Sequence, residues 1–431
     1  VDPAKNAWLI PLSIIFLPAF LAIFTGITSY FSLLLSRSEV QLVFVFPVIW
    51  VFLEWVRGNI LTGFPWNLIG YSFTNILTIS QIASLVGIYG LSLLAVSLSV
   101  SFSMLGSERK KNLLLPIMFI GLFGLIHLYG SDKLNNSINQ YKNIRIRLVQ
   151  ANILQSEKWL DEFKNKNFMK HYHLSKSDDI KNIDLIIWPE TALTFTSPEK
   201  INNKKAIKNI LRDGALLLSG MPSVILDEEK NIKLYNSLLV FDKNLEILDS
   251  YDKFHLVPFG EYLPFRNILD YFGFSKLVFG AIDYSQGNGP KTIKLEKLPS
   301  FSPLICFEVI FPGKVINPNN RPEWLLSISN DAWFGNYAGP WQHFEMARIR
   351  SIEEGLPLVR VSNTGISGVI DSYGRILKLI PYGESGALDH YLPTSLPSTV
   401  YSRFGDIIVF TIGILIISIA FLFRLIRKIS I

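Results

Sequence analysis

The chain has a single cysteine, Cys306, among its 431 residues. One cysteine cannot form an internal disulfide, and the six histidines lie in no Cys/His pattern of the kind that holds structural zinc. We therefore expect neither a metal nor a cofactor. The formal charge of +6 is small, and basic residues are interspersed with acidic ones, so we expect no nucleic-acid partner.

Charge is scarce in the first 130 residues, which contain six of the 41 Lys and Arg and four of the 35 Asp and Glu. Residues 58–107 contain none of these in 50 positions, a run that is hard to bury in a soluble core. A helix needs about 20 mostly apolar residues to cross a bilayer. We therefore predict membrane-spanning helices at 8–34, 40–57, 76–104, 112–130 and 405–424.

The short basic loops predict the orientation of these spans, because Lys and Arg are enriched on the cytoplasmic side. One basic cluster lies at 109–111, between the third and fourth spans, and another at 424–428, after the last. The segment 131–404 is then expected on the opposite side, which in a bacterial inner membrane is the periplasm. The same count places Val1 outside, so we expect the N-terminus to be truncated, with an odd number of earlier spans missing if the intact protein begins in the cytoplasm.

From about residue 143 the pattern changes to short apolar runs separated by polar, helix-like stretches. Residues 145–150 alternate as a strand does, and 184–188 form an apolar run that ends at Pro189. Such alternation of strands and helices predicts a layered α/β domain. The predicted domains are transmembrane helices over 1–130 (about four spans), a linker over 131–142, a periplasmic α/β domain over 143–393, and a linker with a last span over 394–431.

Three reactive side chains come where predicted strands end, which is where α/β sheets usually carry their functional groups. They are Glu190, Lys253 and Cys306. A thiol is mostly protonated at neutral pH, so it needs a nearby base, and a partly buried Glu can provide one. A fixed ammonium would stabilise the oxyanion that forms when the thiol attacks a carbonyl. Each residue also has an ordinary reading: a buried apolar Cys, a capping or solvated Glu, and a surface Lys.

Three segments resemble the catalytic blocks of the nitrilase (carbon-nitrogen hydrolase) superfamily: 188–192 (WPETA), 253–261 (KFHLVPFGE) and 306–308 (CFE). Further segments are similar to the apolipoprotein N-acyltransferase family within it: 61–66 (LTGFPW), 150–153 (QANI) with Trp159, 329–335 (SNDAWFG) and 339–343 (GPWQH). The resemblance covers nearly all of the chain. It implies a four-layer αββα sandwich for the extramembrane domain.

The resemblance also implies roles for single residues. Cys306 would accept an acyl chain as a thioester, Glu190 would be the general base, and Lys253 would stabilise the tetrahedral intermediate. Glu261 matches an additional glutamate beside the triad, and Glu308 and Trp159 match positions important for activity. Phe307 departs from the family, in which Tyr is common after the nucleophile.

The implied reaction is a ping-pong transfer at the membrane. Cys306 would take a fatty acyl chain from a phospholipid, and the α-amino group of a lipoprotein's N-terminal S-diacylglyceryl-cysteine would then attack the thioester. The expected partners are this phospholipid donor, the diacylated apolipoprotein acceptor and the membrane, with the chain itself a monomer.

Two aromatic segments are candidates for contact with the lipid substrates. Residues 262–284, with Phe272 and Phe274, are dense in aromatics and predict a mobile arm that touches lipid; a packed loop is the alternative. Trp333 and Phe334 form a second aromatic set that either lines the substrate route or anchors a turn.

Two other functions remain open from the residues alone. In a membrane-tethered amidase of the same superfamily, water would resolve the thioester, and free fatty acid in place of N-acylated peptide would reveal it. A transporter or assembly protein would use the outer domain only to bind a ligand, and charged residues within the spans would favour it. Glu54 is the only acid within the first four predicted spans, and it can pair with Arg57 three residues later.

Overall fold

The computed structural model describes residues 9–137, 140–176, 178–197, 204–226, 229–271 and 282–429. It divides into two compact units. The first unit comprises the residues up to Ser137, Ile352–Glu354, and the residues from Ser398 onward. The second comprises Ile138–Ser351 and Gly355–Pro397.

The described part of the chain contains eleven α-helices and twelve strands. The helices are α1 Leu9–Leu35, α2 Glu39–Asn59, α3 Leu77–Ser80, α4 Ala83–Ser101, α5 Leu114–Asn135, α6 Asp161–Ser175, α7 Lys204–Ile210, α8 Arg266–Tyr271, α9 Gly339–Glu354, α10 Val400–Phe404 and α11 Ile407–Ile429. The strands are β1 Tyr141–Gln150, β2 Leu185–Ile187, β3 Leu216–Leu226, β4 Ile232–Phe241, β5 Ile247–Asp252, β6 Ile293–Leu295, β7 Leu298–Ile305, β8 Trp324–Ser329, β9 Leu358–Ser362, β10 Ser367–Ile370, β11 Ile376–Ile380 and β12 Gly386–Pro393. Short 3₁₀-helices lie at Ile69–Phe73, Phe102–Gly106, Lys110–Leu113, Asp178–Asn182, Cys306–Ile310 and Asp331–Phe334.

Four helical segments in the first unit are long and apolar enough to cross a membrane: Ile14–Leu35, Glu39–Asn59, Ala83–Gly106 and Lys110–Asn135. They correspond to the first four predicted spans. The fifth prediction falls on α11, whose apolar stretch Ile407–Leu422 is shorter, so that span stays a prediction.

The third of these segments begins later than predicted, because the chain turns between α3 and α4 and then kinks at Gly87. Gly87 has a φ of +67°, in the left-handed region, and a Cβ there would lie 2.2 Å from the Tyr401 ring. Only glycine combines that backbone conformation with so close a contact. An apolar run in the sequence carries no sign of such a kink.

Large apolar side chains cover the outside of α5. Ile117, Leu125 and Leu128 are each more than 60% exposed, on a helix with few buried positions. Water would disfavour an apolar surface of this kind, whereas hydrocarbon would not. The helix is therefore suited to contact with lipid.

The second unit is built on two six-stranded sheets. The strand order is β12-β1-β2-β3-β4-β5 in the first sheet and β11-β10-β9-β8-β7-β6 in the second. Strands β1, β2 and β3 are parallel, as are β7, β8 and β9, and the outer strands pair antiparallel.

The side chains of each strand alternate between two cores, as the period of two requires. Ile146, Leu148 and Ile187 of the first sheet share one apolar cluster with residues of the second, such as Val359 and Val361, so this core lies between the sheets. The alternate residues of the first sheet pack with Phe168 of α6 and Ile207 of α7. On the second sheet, Arg360 points away from the shared core and contacts His343 of α9. The layers are therefore helix, sheet, sheet and helix, and the predicted αββα sandwich is confirmed.

This topology brings several strand ends to one edge of the unit. Strand β2 leads to Glu190, β5 to Lys253, β7 to Cys306 and β8 to Asp331. The turns after these strands leave room for polar side chains that the strands themselves exclude.

Candidate active site

Cys306 lies where β7 ends and a 3₁₀-helix begins, and it is 7% exposed. Its φ is +53°, a left-handed conformation that is uncommon for a residue with a side chain and costs on the order of 1–3 kcal/mol. Surrounding contacts must hold the backbone in this state. A nucleophile presented on a tight, strained turn between a strand and a helix is a known arrangement in hydrolases.

The surroundings disfavour ionisation of the Cys306 thiol. Burial and the Glu190 carboxylate raise its pKa to about 12, although the Lys253 ammonium and the Ser329 hydroxyl act in the opposite direction. The resting group is therefore a thiol at neutral pH. A protonated thiol that is to attack a carbonyl must lose its proton, which requires a base within reach.

Glu190 lies in the turn that follows β2, and its backbone is closely packed. Asn236 Nδ2 donates to Glu190 Oε1 (2.8 Å), and Lys158 Nζ donates to the Glu190 carbonyl oxygen (3.0 Å). Gly220 allows this approach, because a Cβ there would lie 2.6 Å from the Glu190 Cα. The second carboxylate oxygen, Oε2, has no hydrogen-bond partner among the residues that the structure describes. Glu190 is thus held by one oxygen, and the other can take a proton.

Lys253 is the buried cation of the site, with 1% exposure. Its Nζ lies 2.9 Å from Glu261 Oε1, 2.8 Å from Glu261 Oε2 and 4.0 Å from Glu190 Oε1. Burial alone would lower the pKa of Lys253, but the charges of Glu261 and Glu190 outweigh burial and hold it well above the usual value. Lys253 therefore stays an ammonium throughout the accessible pH range.

Asn236 connects the two carboxylates and was not among the predicted site residues. Its Nδ2 donates both to Glu190 Oε1 and to Glu261 Oε1 (3.0 Å), and its backbone oxygen accepts from the Lys253 amide. Asparagine is disfavoured in strands, so its place inside β4 was the available signal in the sequence. Its two partners lie 46 and 25 residues away along the chain, which hid the connection.

Lys158 is a second buried lysine, next to the predicted Trp159. It is 3% exposed, and it lines a small cavity with Glu190 and His171. Burial lowers the pKa of Lys158 to about 8, although the charges of Glu190 and Cys306 oppose the shift. The hydrogen bond to the Glu190 backbone makes Lys158 part of the turn that carries the carboxylate. Trp159 itself is half-buried.

Glu308 joins the turn that carries Cys306 to the turn that carries Lys253. Its Oε2 accepts from the Ile305 amide (2.7 Å), and its Oε1 accepts from the Tyr251 hydroxyl (2.7 Å) and from the amides of Phe254 (2.8 Å) and His255 (3.1 Å). Four donors on one buried carboxylate fix the segments on either side of Lys253 and Cys306. Burial raises the pKa of Glu308, and these hydrogen bonds oppose the shift.

The remaining predicted residues lie in less connected positions. Phe307 is half-buried, and its ring packs edge-on against Phe311 at 5.2 Å. Trp333 is 43% exposed, whereas Phe334 is half-buried with its ring 5.6 Å from that of His343. Phe272 and Phe274 lie outside the described residues. Within the described ranges, no group of three His, Cys, Asp or Glu side chains could hold a metal ion.

Replacement of Glu308 by Gln tests its role as a connector. The amide retains one acceptor oxygen but places an NH₂ group against at least one of the four donors, which leaves buried groups unpaired at a cost of about 1–3 kcal/mol. We expect Glu308→Gln to lower the free energy of unfolding by that amount and to change the rate at which Cys306 is alkylated. Denaturant unfolding in detergent and mass spectrometry of the alkylated chain measure the two effects.

The matched control is Glu323→Gln, which removes a charge from a half-exposed pair with Lys142. Surface pairs contribute about 0–1 kcal/mol, so this variant should behave as the wild type does. Equal behaviour of the Glu308 and Glu323 variants would show that the four hydrogen bonds do not hold the site together.

Comparison with known proteins gives two matching family models. Residues 145–395 match the carbon-nitrogen hydrolase model, and residues 3–101 match the apolipoprotein N-acyltransferase N-terminal domain. The apolipoprotein N-acyltransferase of Rhodopseudomonas palustris is 38% identical over 94% of this chain and 78% of its own length. That of Rickettsia bellii is 37% identical over 96% of this chain and 82% of its own length. A solved amidase from Nesterenkonia sp. is 18% identical, with a TM-score of 0.41 over 59% of this chain and 92% of its own. The chain belongs to the apolipoprotein N-acyltransferase family.

Proposed function

We propose that this protein transfers a fatty acyl chain from a membrane phospholipid, through a thioester on Cys306, to the α-amino group of a lipoprotein's N-terminal S-diacylglyceryl-cysteine. The observation that carries the proposal is the placement of Glu190, Lys253 and Cys306 after strands that end at one edge of the second unit, in a chain with four apolar helices. The activity printed in the names of the relatives agrees with it.

In the first half-reaction, the Cys306 sulfur attacks the ester carbonyl carbon of the phospholipid while its proton moves to Glu190. The negative charge that develops on the carbonyl oxygen is stabilised by the Lys253 ammonium, which is already in place and needs no reorganisation. The ester C–O bond then breaks, and the departing oxygen takes the proton from Glu190. The products are a lysophospholipid and an acylated Cys306.

In the second half-reaction, the amine nitrogen of the lipoprotein attacks the thioester carbonyl. Glu190 accepts a proton from the nitrogen, the C–S bond breaks, and the sulfur regains a proton. Because burial and Glu190 raise the pKa of the Cys306 thiol, the sulfur is a poor leaving group in this site as a bare thiolate. Protonation through Glu190 and the charge of Lys253 both lower this barrier.

Residence in the membrane has a physical reason. Transfer of an acyl chain into water costs about 0.8 kcal/mol for each CH₂ group, so both lipid substrates stay at the bilayer. An enzyme that acts on them must keep its thiol near the lipid surface. Our candidates for substrate contact are Trp333, which is 43% exposed, Phe334, and the aromatic residues Phe272 and Phe274 of the segment 262–284.

The formation of an acyl adduct tests the proposal. We expect the purified full chain, incubated with phosphatidylethanolamine, to gain the mass of one fatty acyl group on Cys306, and a diacylated lipopeptide to discharge it as an N-acylated product. Cys306→Ser and Glu190→Gln should each reduce the adduct by at least about 10²-fold, because a general base contributes about 10²–10⁴-fold. Intact-mass spectrometry measures the unmodified chain, its acyl adduct and the N-acylated product.

Two outcomes contradict the proposal. Release of free fatty acid in place of N-acylated peptide would identify a hydrolase. Binding of the lipopeptide with no adduct on the wild-type chain would point to a protein that only carries or assembles lipoproteins. Asp213→Asn serves as the control for substitution in the same unit, because its side chain is 95% exposed.

We also propose that the second unit lies in the periplasm, on the strength of the basic clusters in the short loops. In a Cys306→Ala background, the chain has no other cysteine, so a new one reports its own surroundings. Asp213→Cys should react with a membrane-impermeant maleimide added to cells with a permeabilised outer membrane. Lys110→Cys, at the opposite predicted side, should react only after the inner membrane is opened. The reverse pattern would invert the proposed orientation.

A further inference from the structure

Three fully buried polar side chains adjoin the nucleophile and have no role in the proposed chemistry. Asp331 follows β8, His343 lies on α9 and Arg360 lies on β9, and each has 0% exposure. Arg360 Nη2 donates to Asp331 Oδ2 (2.8 Å), and it lies 3.0 Å from His343 Nδ1. His343 Nδ1 is also 2.9 Å from Asp331 Oδ1.

The network reaches Cys306 through the other ring nitrogen of His343. His343 Nε2 lies 3.1 Å from the Cys306 carbonyl oxygen. A carbonyl oxygen can only accept, so Nε2 carries a hydrogen and donates it. Burial, and then the charge of Arg360, lower the pKa of His343, which favours the neutral ring. Nδ1 faces both Arg360 Nη2 and Asp331 Oδ1, so the Arg360–Asp331 pair holds the ring in the orientation that directs Nε2 at Cys306.

Asp331 also connects to the nucleophile by a second route. The Ser329 hydroxyl donates to Asp331 Oδ1 (2.6 Å). The same hydroxyl lies near the Cys306 thiol and acts to lower its pKa. One buried carboxylate therefore orients both a group at the Cys306 carbonyl and a group at the Cys306 sulfur.

Stability alone gives a weak reason for such a network. Replacement of a buried ion pair by apolar side chains is often neutral or stabilising, because charges lose their hydration on burial. Cys306, in contrast, needs support, since its φ of +53° is unfavourable for any residue with a side chain. A donor fixed at its carbonyl oxygen is a direct way to hold that conformation.

We infer that His343 is a positioning residue for the nucleophile: its Nε2–H holds the Cys306 carbonyl oxygen, and Asp331 and Arg360 hold the imidazole in the orientation that does so. The inference rests on the proposed function only in that Cys306 is the nucleophile. All peptide bonds of the described chain are trans, so the Phe307 N–H points away from the carbonyl that His343 holds. His343 thereby sets the orientation of the peptide group between Cys306 and Phe307.

A matched pair of variants separates this role from a structural one. In His343→Gln, the amide nitrogen falls near the position of Nε2 and can still donate to the Cys306 carbonyl. In His343→Asn, the shorter side chain ends near Nδ1 and can meet Arg360 or Asp331, but it cannot reach Cys306. The Asp331–Arg360 pair stays intact in both variants, so both are expected to fold.

We expect single-turnover formation of the acyl adduct from phosphatidylethanolamine to stay within about 10-fold of wild type in His343→Gln and to fall on the order of 10²-fold in His343→Asn, the size of effect that a misplacement of about 1 Å produces. The phospholipid KM should change little in either. The inference would be overturned if His343→Asn were as active as His343→Gln. It would also be overturned if the decreases in rate simply followed the decreases in unfolding temperature.

A second measurement uses the wild-type chain, so it depends neither on enzymatic activity nor on the folding of a variant. Because the chain has one cysteine, ¹³C at the cysteine carbonyl labels a single site. With ¹⁵N-labelled histidine, solid-state NMR of the wild-type chain should give a dipolar contact between the Cys306 carbonyl carbon and a protonated imidazole nitrogen. Absence of the contact, or contact with an unprotonated nitrogen, would overturn the inference even if the acyl adduct forms. The contact without any adduct in the wild type would support His343 and count against the proposed function.

Discussion

The site depends on the burial of one ammonium between two carboxylates. Lys253 is 1% exposed, and it remains charged because Glu261 binds its Nζ through both oxygens and Glu190 lies 4.0 Å away. The three groups together carry one negative charge. Burial, and then the charge of Glu190, raise the pKa of the Cys306 thiol and disfavour a free thiolate in the resting protein. In the reaction that we propose, a substrate carbonyl would develop the negative charge that Lys253 stabilises.

Other side chains of the second unit hold these groups in position. Glu308 fixes the backbone on both sides of the cation and the nucleophile through four hydrogen bonds, and Lys158 holds the backbone of Glu190. Side chains that sit on different strands and helices meet at one edge of the sandwich only because parallel strands direct their carboxyl ends to the same edge. The apolar helices serve a separate requirement, which is to anchor the protein in the membrane, where the lipid substrates of the proposed reaction reside.

Much of this architecture could be predicted from the sequence, for physical reasons that also explain the gaps. Local patterns are visible in the sequence itself. Two such patterns are the uncharged run over 58–107 and the strand endings at Glu190, Lys253 and Cys306. The kink at Gly87 depends on contact with Tyr401, and the link from Asn236 to Glu190 depends on a fold that joins residues 46 positions apart, so neither could be read in advance. Arg360, a charge inside an apolar strand, was a visible signal that had no interpretation until His343 and Asp331 were placed beside it.

The most direct test of the central claim is the ionisation of Cys306 itself, which the single cysteine makes unambiguous. Infrared spectroscopy of the S–H stretching band reports the protonated thiol. We expect the band to persist to at least pH 9 in the wild type, because burial and Glu190 raise the pKa of the thiol to about 12. In Glu190→Gln one of these two causes is removed, so the band should disappear at a lower pH than in the wild type. A thiol that titrates near its ordinary value of about 8.5 in both proteins would contradict the account.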